Sequence, residues 1–237
     1  MPITEIGVST APRVLLFDID GTLLTADGAG RRALSLAFRD VCGRSDVIEG
    51  IDFRGMTDAL IIEQALSTGP SSPLAIDIQE IYSAYLNHLA RELAECSSAR
   101  ALPGVESLLH ALDSRDGPFA IGLGTGNIEE AAYMKLRKVG LTRFFKFGGF
   151  GSDHRVRSEL IRIGAERGCQ LLGCESADCQ VVVIGDTFHD VDAALAIGAR
   201  AVGVGTSGKS TQELLSRGAS HAFETLEDSF VLAALLD

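Results

Sequence analysis

Four short apolar runs punctuate this chain: RVLLF (13–17), FAIGLG (119–124), VVVI (181–184) and ARAVGVG (199–205). Around the later three lie segments with helical periodicity at 104–114, 128–139, 158–168 and 189–197. Apolar runs of four to seven residues alternating with amphipathic helices predict parallel strands buried on both faces, an α/β fold with a Rossmann-like parallel sheet. Residues 26–100 break the rhythm. Their apolar positions, in RRALSLAFRDV, TDALIIEQAL and LAIDIQEIYSAYLNHLARELAE, recur at helical spacing with no obvious strand. TGPSSP (68–73) reads as a turn between two of these helices, and LPG (102–104) as the return to the alternating pattern, with Pro103 able to start a helix. The expected organisation is therefore a core made of 1–25 and 101–237, with an all-helical cap inserted at 26–100.

Each of three runs ends on chemistry. Asp18 and Asp20 follow the first, Thr125 ends the second, and Asp186 ends the third with Asp190 four residues on. Strand C-terminal ends of an open parallel sheet share one edge, where ligands bind. Carboxylates gathered there repel one another and need a cation. An oxygen-only donor set suits Mg²⁺, whereas zinc calls for His or Cys, and His189 reads as pointing elsewhere from a helix start.

The string DIDGTLL, followed by GLGTGN, an arginine at 157 and IGDTFHD, resembles the haloacid dehalogenase-like (HAD) hydrolase superfamily, most closely its phosphoglycolate-phosphatase-like branch with a helical cap. The resemblance runs from residue 14 to the C-terminus. It implies a Mg²⁺-dependent phosphatase of small phosphomonoesters. Asp18 would be the nucleophile that becomes an aspartyl-phosphate, and Asp20 the acid and then base. The metal would be held by Asp18, the Asp20 carbonyl and Asp186, with Asp190 orienting the metal waters. Thr125, the Gly126 amide and Asn127 would hold the phosphoryl group. Such sites usually carry a lysine as well. Lys135, Lys138, Lys146 and Lys209 are the only lysines; the first two sit in a helix, and Lys209 lies past the last motif. Arg157 is the first choice for that role, then Arg155, then Lys146. Arginine is not equivalent to lysine there.

The cap segment TADGAGRRA and the turn DFRGMTD are expected to face the substrate, with Arg54, Thr57 and Asp58 as candidate contacts; Thr57 reads equally as the cap of the next helix. Residues 26–100 lack lysine, which disfavours a Schiff-base phosphonate cleavage, and Asp20 has no use in a dehalogenase. A sugar-phosphate phosphomutase and a non-catalytic binding or regulatory member remain alternatives.

Other motifs read as incidental. Gly203, Gly208, Lys209 and Ser210 match the P-loop spacing, but the match follows the aspartate-bearing strand, and residues 211–237 are too few to complete a nucleotide-binding domain. GLGTGN lacks the full dinucleotide spacing. Cys169, Cys174 and Cys179 recur every five residues with no fourth metal ligand in view and read as a helix end and loop. Five cysteines fit a reducing cytoplasm, and MPITEIGVSTAPR shows no secretory pattern. A net charge of −11, from 21 basic and 32 acidic residues, excludes a nucleic-acid face, and no run is long enough for a membrane span. The expected partner is a small phosphorylated metabolite, bound by a monomer or homodimer.

Overall fold

The computed structural model describes residues 11–67 and 76–237. The turn expected at 68–73 and most of the N-terminal segment MPITEIGVSTAPR lie outside the described residues. Six parallel strands form the central sheet: β1 (Arg13–Phe17), β4 (Phe119–Gly124), β5 (Gly148–Gly149), β6 (Gln180–Gly185), β7 (Arg200–Val204) and β8 (His221–Phe223), in the order β5-β4-β1-β6-β7-β8. This is the expected α/β architecture. Alternation along β1 shows why it is central. Leu15 and Phe17 enter one apolar layer, Val14 and Leu16 the other, and all four are fully buried.

Between β1 and β4 come α1 (Ala29–Cys42), α2 (Asp58–Ser67) and α3 (Ile78–Glu95). The helices α1 and α3 pack on each other and share an apolar layer with one face of the sheet through Ala33, Phe38, Tyr85 and Leu89. A two-stranded antiparallel ribbon flanks the insertion, β2 (Leu24–Thr25) against β3 (Arg100–Ala101). The sequence reading had no strand there, because two-residue strands carry no periodicity. After it, α4 (Val105–Asp113) starts behind Gly104 rather than at Pro103. The remaining helices, α5 (Glu129–Lys138), α6 (Arg157–Leu172), α7 (Phe188–Ala196), α8 (Thr211–Arg217) and α9 (Val231–Leu236), follow β4 to β8. Helix α6 runs past the expected 168 to Leu172, where Gly173 in left-handed conformation ends it. Among the described residues, no helix is long and apolar enough to cross a membrane.

The order places β4, β1 and β6 side by side. After β1 the chain builds outward to β4 and β5, then crosses to β6 on the other side. The strand order reverses at β1, and the C-terminal ends of these three strands frame the crevice.

Candidate active site

Asp18 leaves β1 with its backbone N–H donating to Ile184 O (2.9 Å), so β6 fixes where the side chain starts. Asp186 leaves β6, and its Oδ1 accepts from Thr22 Oγ1 at 2.8 Å. Gly21 must approach it closely. With φ at +85°, a Cβ there would lie 2.4 Å from Asp186 Oδ2, so only glycine allows the DIDGT turn to pass. Asp190, in the first turn of α7, accepts from Thr187 N (3.0 Å) and Thr187 Oγ1 (2.7 Å), closing a capping box. One carboxylate oxygen from each of Asp18, Asp186 and Asp190 lies within 4.8 Å of the others, and all three residues are buried.

The electrostatics of this trio are unbalanced. Burial, and then the repulsion of Asp190, pushes Asp186 up to about 7. Burial pushes Asp18 up to about 6, with Arg157 opposing and Asp190 and Asp20 adding to the rise. The compensating cation is Arg157, at the start of α6, whose Nη2 sits 3.0 Å from Asp18 Oδ2 and 2.5 Å from Asp190 Oδ1. Three carboxylates against one guanidinium leave two negative charges in an oxygen-lined pocket, which matches one divalent cation. Both Asp190 oxygens are engaged, Oδ1 by Arg157 and Oδ2 by Thr187, so Asp18 and Asp186 are the pair that could hold such an ion.

The floor continues at β4. Thr125 is fully buried, and its Oγ1 accepts from Asn127 Nδ2 at 2.9 Å, leaving its own O–H to donate. Gly126 is pinned under the insertion, because a Cβ there would lie 2.2 Å from Met56 O. Asp20 stands across the crevice with its side chain 47% exposed, on the wall of a cavity of about 290 Å³ shared by the crevice and the helical insertion.

The family model of the haloacid dehalogenase-like hydrolases matches residues 12–198, a span that holds every one of these groups. The chain belongs to that family. The phosphoglycolate phosphatase of Xylella fastidiosa is 28% identical over 207 residues, covering 84% of this chain and 82% of its own. The fructose-1-phosphate phosphatase YqaB of Escherichia coli is 29% identical over 197 residues, covering 80% and 95%. Among solved structures, CbbY of Rhodobacter sphaeroides in complex with phosphate superposes with a TM-score of 0.70 at 17% identity, covering 95% of this chain and 99% of that one. A hydrolase from Pseudomonas syringae superposes with 0.68 at 22%, covering 96% and 100%. These two likenesses concern the fold.

Within this HAD site, the other residues singled out from the sequence fall in three places. Of the three cations weighed, Arg157 is the one beside Asp18; Arg155 is exposed and paired with Glu63 (2.9 Å), and Lys146 is exposed. On the insertion, Arg54 lines the cavity but is paired with Asp52 at 2.7 Å. Thr57 does not line it. Its hydroxyl donates to Arg155 O (2.9 Å) and accepts from Leu60 N (3.2 Å), so the geometry is that of the helix cap and not of the substrate contact. Asp58 is buried on the cavity wall, accepting from Ile128 N at 2.9 Å. Away from the cavity, Lys209 lies 4.4 Å above the Phe188 ring and Ser210 caps α8, while neighbouring Ser207 donates to Asp186 O at 2.9 Å. The P-loop look-alike is thus a sheet strand and a buttress of the acidic site. The sulfurs of Cys169, Cys174 and Cys179 lie within 4.8 Å of one another, between the end of α6 and the start of β6.

Sequence reasoning missed two groups. Thr22, read only as part of a motif, holds Asp186. Lys135, placed in a helix but given no role, is buried, with Nζ 2.5 Å from Asp20 Oδ2 and 2.6 Å from Asn127 Oδ1. A signal for it was present. Ile128, Ala131, Ala132, Lys135, Leu136 and Val139 make one helical stripe, and Lys135 is its only charged member.

Proposed function

We propose that the chain is a Mg²⁺-dependent phosphatase of small phosphomonoesters, working through phosphorylation of Asp18. The observation that carries this reading is the meeting of Asp18, Asp186 and Asp190 around Arg157, at the ends of adjacent strands, with Asp20 open to the same cavity. Asp18 and Asp186, with the Asp20 carbonyl, would hold Mg²⁺, and the ion would neutralise phosphoryl oxygen charge and offset the repulsion between carboxylates. Asp18 attacks phosphorus while Asp20 gives its proton to the departing alcohol oxygen. Asp20 then takes a proton from the water that attacks phosphorus and frees Asp18. The Thr125 hydroxyl and the Gly126 amide hold the transferring group, and Arg157 keeps Asp18 in line. Arg157 Nε–H is buried with no hydrogen-bond partner among the described residues, a donor that a phosphoryl oxygen suits.

Residues 26–100 act in this reading as a cap that closes over the crevice and excludes water. Four bonds support a closed state: Arg157 Nη1 to Gly55 O (3.1 Å), Asp58 N to Gly126 O (2.8 Å), Ile128 N to Asp58 Oδ2 (2.9 Å) and Thr57 Oγ1 to Arg155 O (2.9 Å). The substrate class, a small phosphorylated metabolite, follows the phosphatases of phosphoglycolate and fructose 1-phosphate to which the chain is similar. Phosphate release from p-nitrophenyl phosphate and a phosphometabolite panel tests the reading. Turnover is expected with Mg²⁺, none with excess chelator, and none in a folded Asp18→Asn variant. Wild-type rates in that variant would remove the nucleophile.

A further inference from the structure

Lys135 is the one lysine of the chain that the active site draws in. Its side chain is 5% exposed, in the middle of α5, on the stripe that faces the core. Burying an ammonium there is costly unless partners surround it. Two partners are supplied, and both belong to the site: Asp20 Oδ2 at 2.5 Å and Asn127 Oδ1 at 2.6 Å. Asn127 closes the ring, its Nδ2 donating to the same Asp20 Oδ2 at 2.9 Å and to Thr125 Oγ1 at 2.9 Å. Gly30 in α1 leaves the space, since a Cβ there would sit 3.3 Å from the ammonium nitrogen.

This ring has a directional consequence. Asp20 stands just before the tight turn at 21–23 and its side chain is half open to the cavity, so its place in the chain does not by itself fix the plane of the carboxyl group. Two donors converge on Oδ2. The other oxygen, Oδ1, is left to meet the substrate. From this we infer that Lys135 is a positioning residue: through the Asp20–Asn127 ring it aims Asp20 Oδ1 at the bridging oxygen of the substrate and so equips the site for unactivated alkyl phosphates. The inference rests on the phosphatase reading above.

The step it serves is the first one. The bond from phosphorus to the bridging oxygen breaks, the Asp18–phosphorus bond forms, and the proton on Asp20 Oδ1 moves to the bridging oxygen, so that a neutral alcohol departs. An alkoxide cannot leave without that proton, whereas nitrophenolate can. A carboxyl group turned out of line therefore penalises alkyl phosphates and spares aryl ones.

The test compares kcat/KM, which reports the steps up to departure of the alcohol, on two substrates. One is p-nitrophenyl phosphate, and the other is whichever of phosphoglycolate and fructose 1-phosphate the wild type hydrolyses faster. In Lys135→Met, which fits the apolar stripe, kcat/KM for the alkyl phosphate is expected to fall on the order of 10- to 100-fold. That for the aryl phosphate is expected to stay within about 3-fold, since its leaving group needs no general acid. Lys135→Arg keeps a donor but not its geometry and is expected to lie between. An equal loss on both substrates, or no loss on either, overturns the inference while leaving phosphatase activity standing. If the methionine variant does not fold, the alkyl-to-aryl ratio of the arginine variant decides, and a wild-type ratio there overturns it. A wild type that hydrolyses neither substrate, with Asp18→Asn as the blank, removes the phosphatase reading and this inference with it.

Discussion

At the scale of single residues, Arg157 carries the largest electrostatic responsibility. Among the described residues it is the only guanidinium or ammonium placed on Asp18, and it also binds Asp190 and a carbonyl of the insertion. Replacing it by methionine leaves two carboxylates buried without their partner. Removing one side of a buried ion pair costs about 3–5 kcal/mol, and a loss of that size is expected for Arg157→Met in urea unfolding of the metal-free protein at pH 7. Arg157→Lys retains the charge and forfeits one of the two-point contacts, for an expected loss of about 1 kcal/mol. Methionine as stable as wild type would show that Asp18 and Asp190 do not depend on the guanidinium. Residue identity was legible wherever it followed from position in a strand. Asp18, Asp20, Thr125 and Asp186 stand at strand ends, and the sheet alone brings them together. Lys135 was not legible in that way. A lysine in a helix is ordinarily a solvated one, and only its place in the stripe from Ile128 to Val139 contradicted this.

At the scale of elements, the N-terminus of α2 meets the loop between β4 and α5, and Asp58 is the joint. Its backbone N–H donates to Gly126 O, and its carboxylate accepts from Ile128 N. Burial pushes Asp58 up to about 6, opposed by Lys135 and by the Ile128 hydrogen bond. An acid whose pKa is higher folded than unfolded binds more protons in the folded state. Stability therefore falls as pH rises from about 4 through about 6 and is level above that range. Asp58→Asn keeps an acceptor for Ile128 N and removes the titration. Its stability relative to wild type is expected to improve between pH 4.5 and 7.5 by about 2 kcal/mol, from the roughly 1.5 pH units between 4.5 and the folded pKa at about 1.4 kcal/mol each. Thermal melts across that range check it, and a difference that stays flat with pH would mean that Asp58 is not desolvated at this joint. Helical periodicity made α1 and α3 readable, but not what α2 touches, since periodicity reports which face is apolar and not what covers it. The ribbon of β2 and β3 and the strand β5 escaped because two residues make no pattern.

At the scale of the whole molecule, an acidic chain of net charge −11 concentrates three carboxylates beneath a cavity and supplies a single arginine to them. The alternation of strands and helices indicates a parallel sheet, but the order β5-β4-β1-β6-β7-β8, which makes β4, β1 and β6 neighbours, is not written in any local stretch. It depends on which crossovers pack on which face. In the proposed reading, the excess negative charge left by that order makes the folded state a better ligand for a divalent cation than the unfolded chain, in which the aspartates are apart. Binding confined to the folded state stabilises by about 2.7 kcal/mol at a hundredfold excess over Kd. For a chain of this size that corresponds to a rise in Tm of about 5–10 °C. Mg²⁺ added to chelator-treated protein is expected to give that rise, and Asp186→Asn to abolish most of it while raising the Tm of the metal-free protein, because one buried charge has gone. The two shifts have opposite signs in one variant, which a general loss of packing cannot produce. An equal Mg²⁺ response in wild type and variant would place the ion elsewhere and separate the acidic cluster from the metal.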